Sequence, residues 1–281
     1  MALPSYATPV QRTYYYAYLF FCGVVFFFLI APLIAIIPIS FSVSPFMVFT
    51  DEMLTWPPDP DAWSLRWYKN MIGNCSADVV SSTVPCSNKW MIGTVNSFFI
   101  GFVATFIATT LGTLAALGLS RPHMPYKGLI MAILISPMIV PLIITAAGMF
   151  FFYARINLVY SFTGIILAHV ALATPFVVIT VTATLVGFDM NMVKASQSLG
   201  ARPVRTFFKV IMPLILPGVI SGALFAFITS FDEVVIVMFM ASLDQLTIPK
   251  QMWAGIRQEI SPVILCMATC LVILSILLLT T

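Results

Sequence analysis

Charge is what this sequence has least of. Thirteen Lys and Arg and ten Asp and Glu make up 8% of its 281 residues, where a soluble domain carries roughly a quarter. Apolar residues reach 60%, more than a soluble fold of this length can hide from water. A cytoplasmic enzyme, a nucleic-acid-binding module and a disordered regulator are excluded on these grounds. A net charge of +3 is too small to attract nucleic acid. Five cysteines and two histidines show no Cys-x-x-Cys or His-Glu-x-x-His spacing, so no metal site is expected. No Gly-x-x-x-x-Gly-Lys-Ser/Thr loop occurs, so the chain does not hydrolyse ATP by that route. An all-α membrane protein remains.

The gaps between charges locate its helices. Residues 13–50, 90–120, 128–154, 156–188 and 260–281 carry no Asp, Glu, Lys or Arg, and 210–243 is interrupted only by Asp232 and Glu233. A helix needs about 20 apolar residues to cross the hydrocarbon. Six transmembrane helices in one domain, 1–281, are therefore expected, with an outer loop over 42–89. The first run exceeds a cleavable signal core and reads as a retained span. With the N-terminus in the cytoplasm, the inner segments hold Arg12, Arg121, Lys127, Lys194, Arg202, Arg205 and Lys209 against the single acid Asp189. Positive charge prefers that side. The last segment lacks a basic stop, so the natural protein is expected to continue past Thr281. Pro32, Pro38, Pro137, Pro141, Pro175, Pro213 and Pro217 sit in or beside spans. They are either tolerated kinks or signs of a curved, crossing bundle.

In the outer loop, Trp56-Pro57-Pro58-Asp59-Pro60 reads as a rigid turn. Asp61 then caps a short helix carrying Trp63, Trp67 and Met71 on one face, lying on the membrane surface or packed on the bundle. Cys75 and Cys86 either pair in an oxidising compartment or stay free thiols. Cys22, Cys266 and Cys270 lie within spans and read as packing residues.

Asp232 and Glu233 stand out, because a carboxylate within the membrane must face a cavity, pair with a cation or take up a proton. Nineteen residues beyond Pro213 place Asp232 roughly 28 Å along the helix. Neighbouring helical positions diverge by about 100°, so the two acids do not share one role. One lines a path for a cationic solute, or both belong to a structural ion pair with Lys250 or Arg257, or both are wetted at the outer interface. His169 reads as a hydrogen-bonded packing residue rather than a titrating one.

The segment 187–212 joins the fourth and fifth spans. Asp189 or Asn191 can cap a helix that Gly200 ends, and Pro203 can open a second one presenting Val204, Phe207, Phe208 and Ile211. Small residues Ala195 and Ser196 let another protein approach that backbone closely. Two ordered helices exceed what a solvated connector needs, so docking is the preferred reading.

Here the sequence resembles the permease subunits of binding-protein-dependent ABC importers of the type I fold. Their signature is Glu-Ala-Ala, three residues, Gly, nine residues, then Ile-x-Leu-Pro. Lys194-Ala195-Ser196, Gly200 and Val210-Ile211-Met212-Pro213 keep that spacing. Ala195, Gly200 and Pro213 match outright, while Lys194 stands in place of the glutamate. The chain is most like the spermidine and putrescine permeases. Trp63-Ser64-Leu65-Arg66-Trp67-Tyr68 looks like their outer aromatic segment, and Phe231-Asp232-Glu233-Val234-Val235 like their acidic pair. The stretch Ser136-Pro137-Met138-Ile139-Val140-Pro141-Leu142 lacks the acid those permeases often carry there, which points to a related amine or an opine-like compound.

The resemblance implies a six-helix permease fold of the bacterial inner membrane with no catalysis of its own. Lys194, Ala195, Ser196, Leu199, Gly200 and Pro213 would couple it to an ATPase dimer that holds ATP and Mg. Asp232 and Glu233 would line the substrate path. A second permease, a distinct homologue rather than a copy, a periplasmic substrate-binding protein and the lipid bilayer complete the partners; nucleic acid is not among them. A gradient-driven carrier or channel using Asp232 or Glu233 as a proton relay is the competing reading.

Overall fold

A computed structural model describes residues 6, 8–57, 59–73, 88–121, 123–258 and 260–280. Cys75 and Cys86 lie outside them. The described residues form helices joined by turns, with one isolated antiparallel bridge, Ser42 to Trp63. The chain divides into two compact units, residues 1–88 with 254–281, and residues 89–253.

In the first unit, α1 (Pro9–Ile39) opens on a reciprocal cap. The Thr8 hydroxyl accepts from the Gln11 amide, and the Gln11 side chain accepts from the Thr8 amide. None of the residues of α1 is buried, and a ring of Phe20, Phe21, Phe26, Phe27 and Phe28 stays exposed. A one-turn helix, α2 (Asp51–Leu54), and a 3-10 turn over Pro60–Ala62 precede α3 (Arg66–Met71).

This corrects the expected outer helix. Asp61 does not cap it: Asp59 caps the 3-10 turn, accepting from the Asp61 amide at 3.0 Å, and at the start of α3 it is Ser64 Oγ that accepts from the Arg66 amide at 3.1 Å. Trp63 is extended, because the Val43 and Ser64 amides reach the Ala62 and Phe41 carbonyls at 3.2 and 2.7 Å. These bonds hold 62–64 out of the helix and delay its start to Arg66. Trp67 is then buried and donates its indole N–H to the Ser42 carbonyl at 2.9 Å. The Tyr68 hydroxyl meets Ser40 Oγ at 2.7 Å, and the buried Cys266 thiol donates to the Ser40 carbonyl. Trp67 and Tyr68 thus pack onto the end of α1.

The second unit contains α4 (Lys89–Leu119), α5 (Lys127–Ile139), α6 (Leu142–Arg155), α7 (Phe162–Val186), α8 (Asn191–Ser198), α9 (Pro203–Thr206), α10 (Met212–Phe231), α11 (Val235–Met240) and most of α12 (Ile248–Gln258). The chain ends in α13 (Val263–Thr280), which packs with α1 and α3 in the first unit.

The core of the second unit is α4, α7 and α10. Small residues recur at every fourth position: Ala104, Ala108, Gly112 and Ala116 on α4, and Gly218, Gly222 and Ala226 on α10, all buried. That spacing lays a flat stripe along each helix and lets backbones approach where water offers no driving force. A Cβ on Gly222 would stand 3.1 Å from Val177 Cα, and one on Gly112 would stand 2.6 Å from Val177 Cβ.

Among the described residues, four helices are long and apolar enough to cross a membrane: α1, α4, α7 and the continuous run Pro203–Phe231. The segment expected as the third span is instead two helices, α5 and α6, bent by 102°. Pro141 has no N–H to continue the ladder, and Val140 before it is extended, so the helix stops and restarts. Counted as one broken span, the pair makes a fifth, while Val263–Leu277 is a shorter apolar helix.

Candidate functional site

Two features stand at opposite ends of α10, whose 20 residues rise about 30 Å. The first is the elbow that leads into it. The Asp189 carboxylate accepts from the Asn191 amide at 2.9 Å and opens α8. At the other end Gly200 adopts φ +79°. Its amide reaches the Gln197 carbonyl at 2.9 Å, and the Ala201 amide reaches the Ser196 carbonyl at 3.1 Å. This pair of bonds is the Schellman closure, which needs a left-handed residue where glycine sits.

The chain then turns back against α8. Ser196 Oγ and the buried Thr206 Oγ1 lie 3.0 Å apart, pinning α8 to α9. Ala195, Ser196, Leu199 and Gly200 line an open groove with Arg205 and Val210. Four of the six expected coupling residues are therefore together. Lys194 is exposed beside the groove and Pro213 lies in the first turn of α10, neither lining it. Leu199 is 88% exposed, an apolar side chain held out on a structured turn. Beneath the elbow, Leu117, Arg121, Phe188, Gln197, Thr206 and Ile211 enclose a cavity of about 310 Å³.

The second short helix expected at Pro203 is not separate. α9 passes through a π turn, Phe207–Ile211, straight into α10, with the Met212 amide reaching back to the Phe207 carbonyl. A π turn carries one residue more than the α-helical ladder and occurs often at functional sites. Pro213 and Pro217, which cannot donate, follow directly.

The second feature is the break after α10. The helix ends at Phe231, so Asp232 and Glu233 are not successive positions on a helix as expected. Asp232 is exposed; its amide completes the last helical turn to the Ile228 carbonyl at 3.0 Å. Glu233 is 7% exposed and turns its carboxylate onto the backbone, accepting from the Ile236 amide at 2.8 Å. Lys250 does not pair with it. Its ammonium donates to the Val237 and Ala241 carbonyls at 3.3 and 3.2 Å, and burial pushes its pKa below the usual lysine value.

His169 is the expected packing histidine: Nδ1 meets Ser230 Oγ at 2.8 Å, joining α7 to the end of α10. Further bonds secure the same end. Asn96 donates to the Asp244 and Leu246 carbonyls, Ser97 accepts from the Ile248 amide, and Gln245 donates to the Tyr160 carbonyl. The capping roles of Glu233 and Lys250 escaped the sequence reading. Two acids followed by the apolar run 234–240 are a helix-start signal that could have revealed α11.

Residues 108–281, which include both features, match the family described as binding-protein-dependent transport system inner membrane component. The chain belongs to that family. As a member it is a transport permease of the inner membrane that crosses the bilayer several times. Its relatives include the spermidine/putrescine transport system permease protein PotC of Haemophilus influenzae, 28% identical over 91% of this chain and 90% of that protein. The putrescine transport system permease protein PotI of Escherichia coli K12 is 28% identical over 87% of this chain and 81% of that protein. A solved bacterial ABC transporter involved in import of the acidic polysaccharide alginate has a chain that superposes with a TM-score of 0.70. It covers 99% of this permease and 96% of that chain at 14% identity, a likeness of fold.

Proposed function

We propose that this permease is the membrane subunit of an ATP-driven importer and that its cargo is a polyamine or a related small cationic amine. The observation that carries the reading is the elbow: a short helix closed by Gly200, grooved along Ala195–Ser196–Leu199, offered at the foot of α10. A surface of that form suits a separate nucleotide-hydrolysing protein. With no phosphate loop in the chain, such a partner supplies the energy, holding ATP and Mg itself.

Two ATPase subunits, a second and distinct permease, and a secreted binding protein that delivers the cargo complete the assembly. The N-terminus lies in the cytoplasm, on the side of Arg121, Lys127, Lys194, Arg202, Arg205 and Lys209. ATP-driven closure moves the elbow, and α10 carries that motion to the break at Asp232. The two states of the bundle are biased by a remote ligand, which is what coupling means physically.

The cargo assignment follows from the polyamine relatives and from Asp232, an exposed carboxylate at the end of α10 that attracts a cation. Glu233 is already engaged by the Ile236 backbone amide.

Uptake of labelled spermidine and putrescine into proteoliposomes tests the proposal. The assembled complex is expected to accumulate one of them only with ATP inside the compartment that the ATPases face. Accumulation by the permease alone under a proton gradient would replace this reading with a gradient-driven carrier.

A further inference from the structure

We propose that Glu233 and Lys250 are positioning residues that clamp α11 from its two ends and thereby hold Asp232 free for a cationic cargo. The inference rests on the importer reading above and assigns different work to the two neighbouring acids.

A helix of six residues does not stand by intrinsic propensity. α11 is apolar throughout, Val235–Met240, and its terminal amides and carbonyls need partners from outside. Each end has one. The buried Glu233 carboxylate takes the Ile236 amide. The Lys250 ammonium takes the Val237 and Ala241 carbonyls, and the Tyr160 amide takes that of Met240. Negative charge at the N-terminus and positive charge at the C-terminus also match the helix dipole. Ile236, Val237 and Met240 are buried against the rest of the unit, so α11 is fixed by both packing and polar ends.

This arrangement decides which acid can meet cargo. A cation arriving at Glu233 would compete with the Ile236 amide and would leave it unpartnered in a buried place, which is costly. Asp232 has no such duty: its amide closes α10 and its side chain is exposed. Its direction is set from both sides. The His169–Ser230 bond fixes the last turn of α10, and the Glu233 cap fixes the first turn of α11. Lys250, eighteen residues away on α12, thus acts on Asp232 through α11 without touching it.

The test compares conservative and truncating variants in the assembled transporter. Glu233→Gln keeps an oxygen that accepts the amide but removes the charge; Glu233→Ala removes both. Asp232→Asn is expected to raise the KM for the amine about tenfold or more, as loss of a charge-assisted contact does. Glu233→Gln should stay within about threefold of the parent in KM, whereas Glu233→Ala and Lys250→Met should each raise it about tenfold. The Glu233→Ala/Lys250→Met pair should cost less than the product of the two singles, because both release one helix.

A second readout does not need transport. Met238, exposed on α11, is replaced by cysteine and its labelling by a hydrophilic maleimide is timed. Labelling should quicken in Glu233→Ala and Lys250→Met but not in Glu233→Gln or Asp232→Asn. If Glu233→Gln raises KM as much as Asp232→Asn, or if Glu233→Ala leaves both KM and labelling unchanged, the clamp is wrong. Absence of amine uptake by the parent complex would instead overturn the cargo reading, with labelling still judging the clamp.

Discussion

Gly200 isolates a backbone requirement from a packing one. Its φ of +79° lies where L-residues are strained, yet no heavy atom comes within 4 Å of a Cβ built on it. A substitution there meets no steric wall, only the conformational cost, about 1–2 kcal/mol for a left-handed residue. Gly200→Val is therefore expected to leave the melting temperature of the purified permease within a few degrees of the parent, since α8 is exposed and contributes little to the core. It should nevertheless strip away most ATP-driven uptake, because the Schellman closure aims Leu199 and the groove. Melting by intrinsic fluorescence and uptake in proteoliposomes check both halves. Loss of melting temperature in proportion to loss of uptake would make Gly200 a folding residue instead. At the same scale, Ser196 shows how a departure from the family signature is absorbed. The hydroxyl present where that signature has alanine bonds Thr206 at 3.0 Å, tying α8 to the lead-in of α10. A net contribution of about 1 kcal/mol is typical of such a bond. Ser196→Ala should lower uptake severalfold less than Gly200→Val.

Among the elements, the three helices α4, α7 and α10 owe their closeness to residues that lack side-chain bulk. Thr180 Oγ1 and Val177 Cα would stand 2.5 and 3.1 Å from a Cβ on Gly222. One of these is backbone and cannot swing aside. Gly222→Ala should therefore force α7 and α10 apart and cost about 1–3 kcal/mol, as overpacking does, seen as a clear fall in melting temperature in detergent. Gly118→Ala is the control, since nothing lies within 4 Å of a Cβ there. The stripe itself is legible in the sequence once the spans are drawn, because glycine and alanine at every fourth place in a charge-free run mark a contact face. The spans are legible for the same reason that charge is scarce: a charged group in hydrocarbon is costly, so uncharged runs stand out.

What the sequence hid are places where tertiary bonds override a local pattern. Trp63, Trp67 and Met71 share a helical spacing, but the Phe41, Ser42 and Val43 backbone pairs with 62–64 and removes Trp63 from the helix. Asp232 and Glu233 read as an interruption within a helix. They are its end and the cap of the next, a distinction set by the buried amide that Glu233 finds at Ile236. Pro137 and Pro141 announce a kink, yet its size of 102° depends on what packs around α5 and α6. The elbow was the most readable part, since its spacing, glycine and capping acid are all local signals.

On the scale of the whole molecule, the proposed coupling needs a path from α8 to Asp232. The continuous run of α9, the π turn and α10, Pro203–Phe231, offers a mechanical one. The orientation of the elbow about that axis is set by the π turn, where the Met212 amide reaches the Phe207 carbonyl five residues back. Deleting one residue from it, Phe208, whose side chain is 61% exposed, would restore the four-residue ladder. By helical geometry it would also rotate α8 and α9 by about 100° relative to α10. The helices of the core keep their contacts under this change, so the permease should still fold, insert and melt as a unit. The Ser196–Thr206 pin moves with the elbow, so α8 itself stays intact, but its groove points elsewhere. The deletion should reduce ATP-driven uptake to below about a tenth of the parent, the loss expected when a two-state element no longer receives its bias. One substitution separates rotation from chemistry: Phe208→Ala keeps the residue count and should keep most uptake. Equal loss in the alanine variant would locate the effect in the phenyl ring rather than the register. Full uptake in the deletion would mean that the elbow and the break move independently of the helix between them.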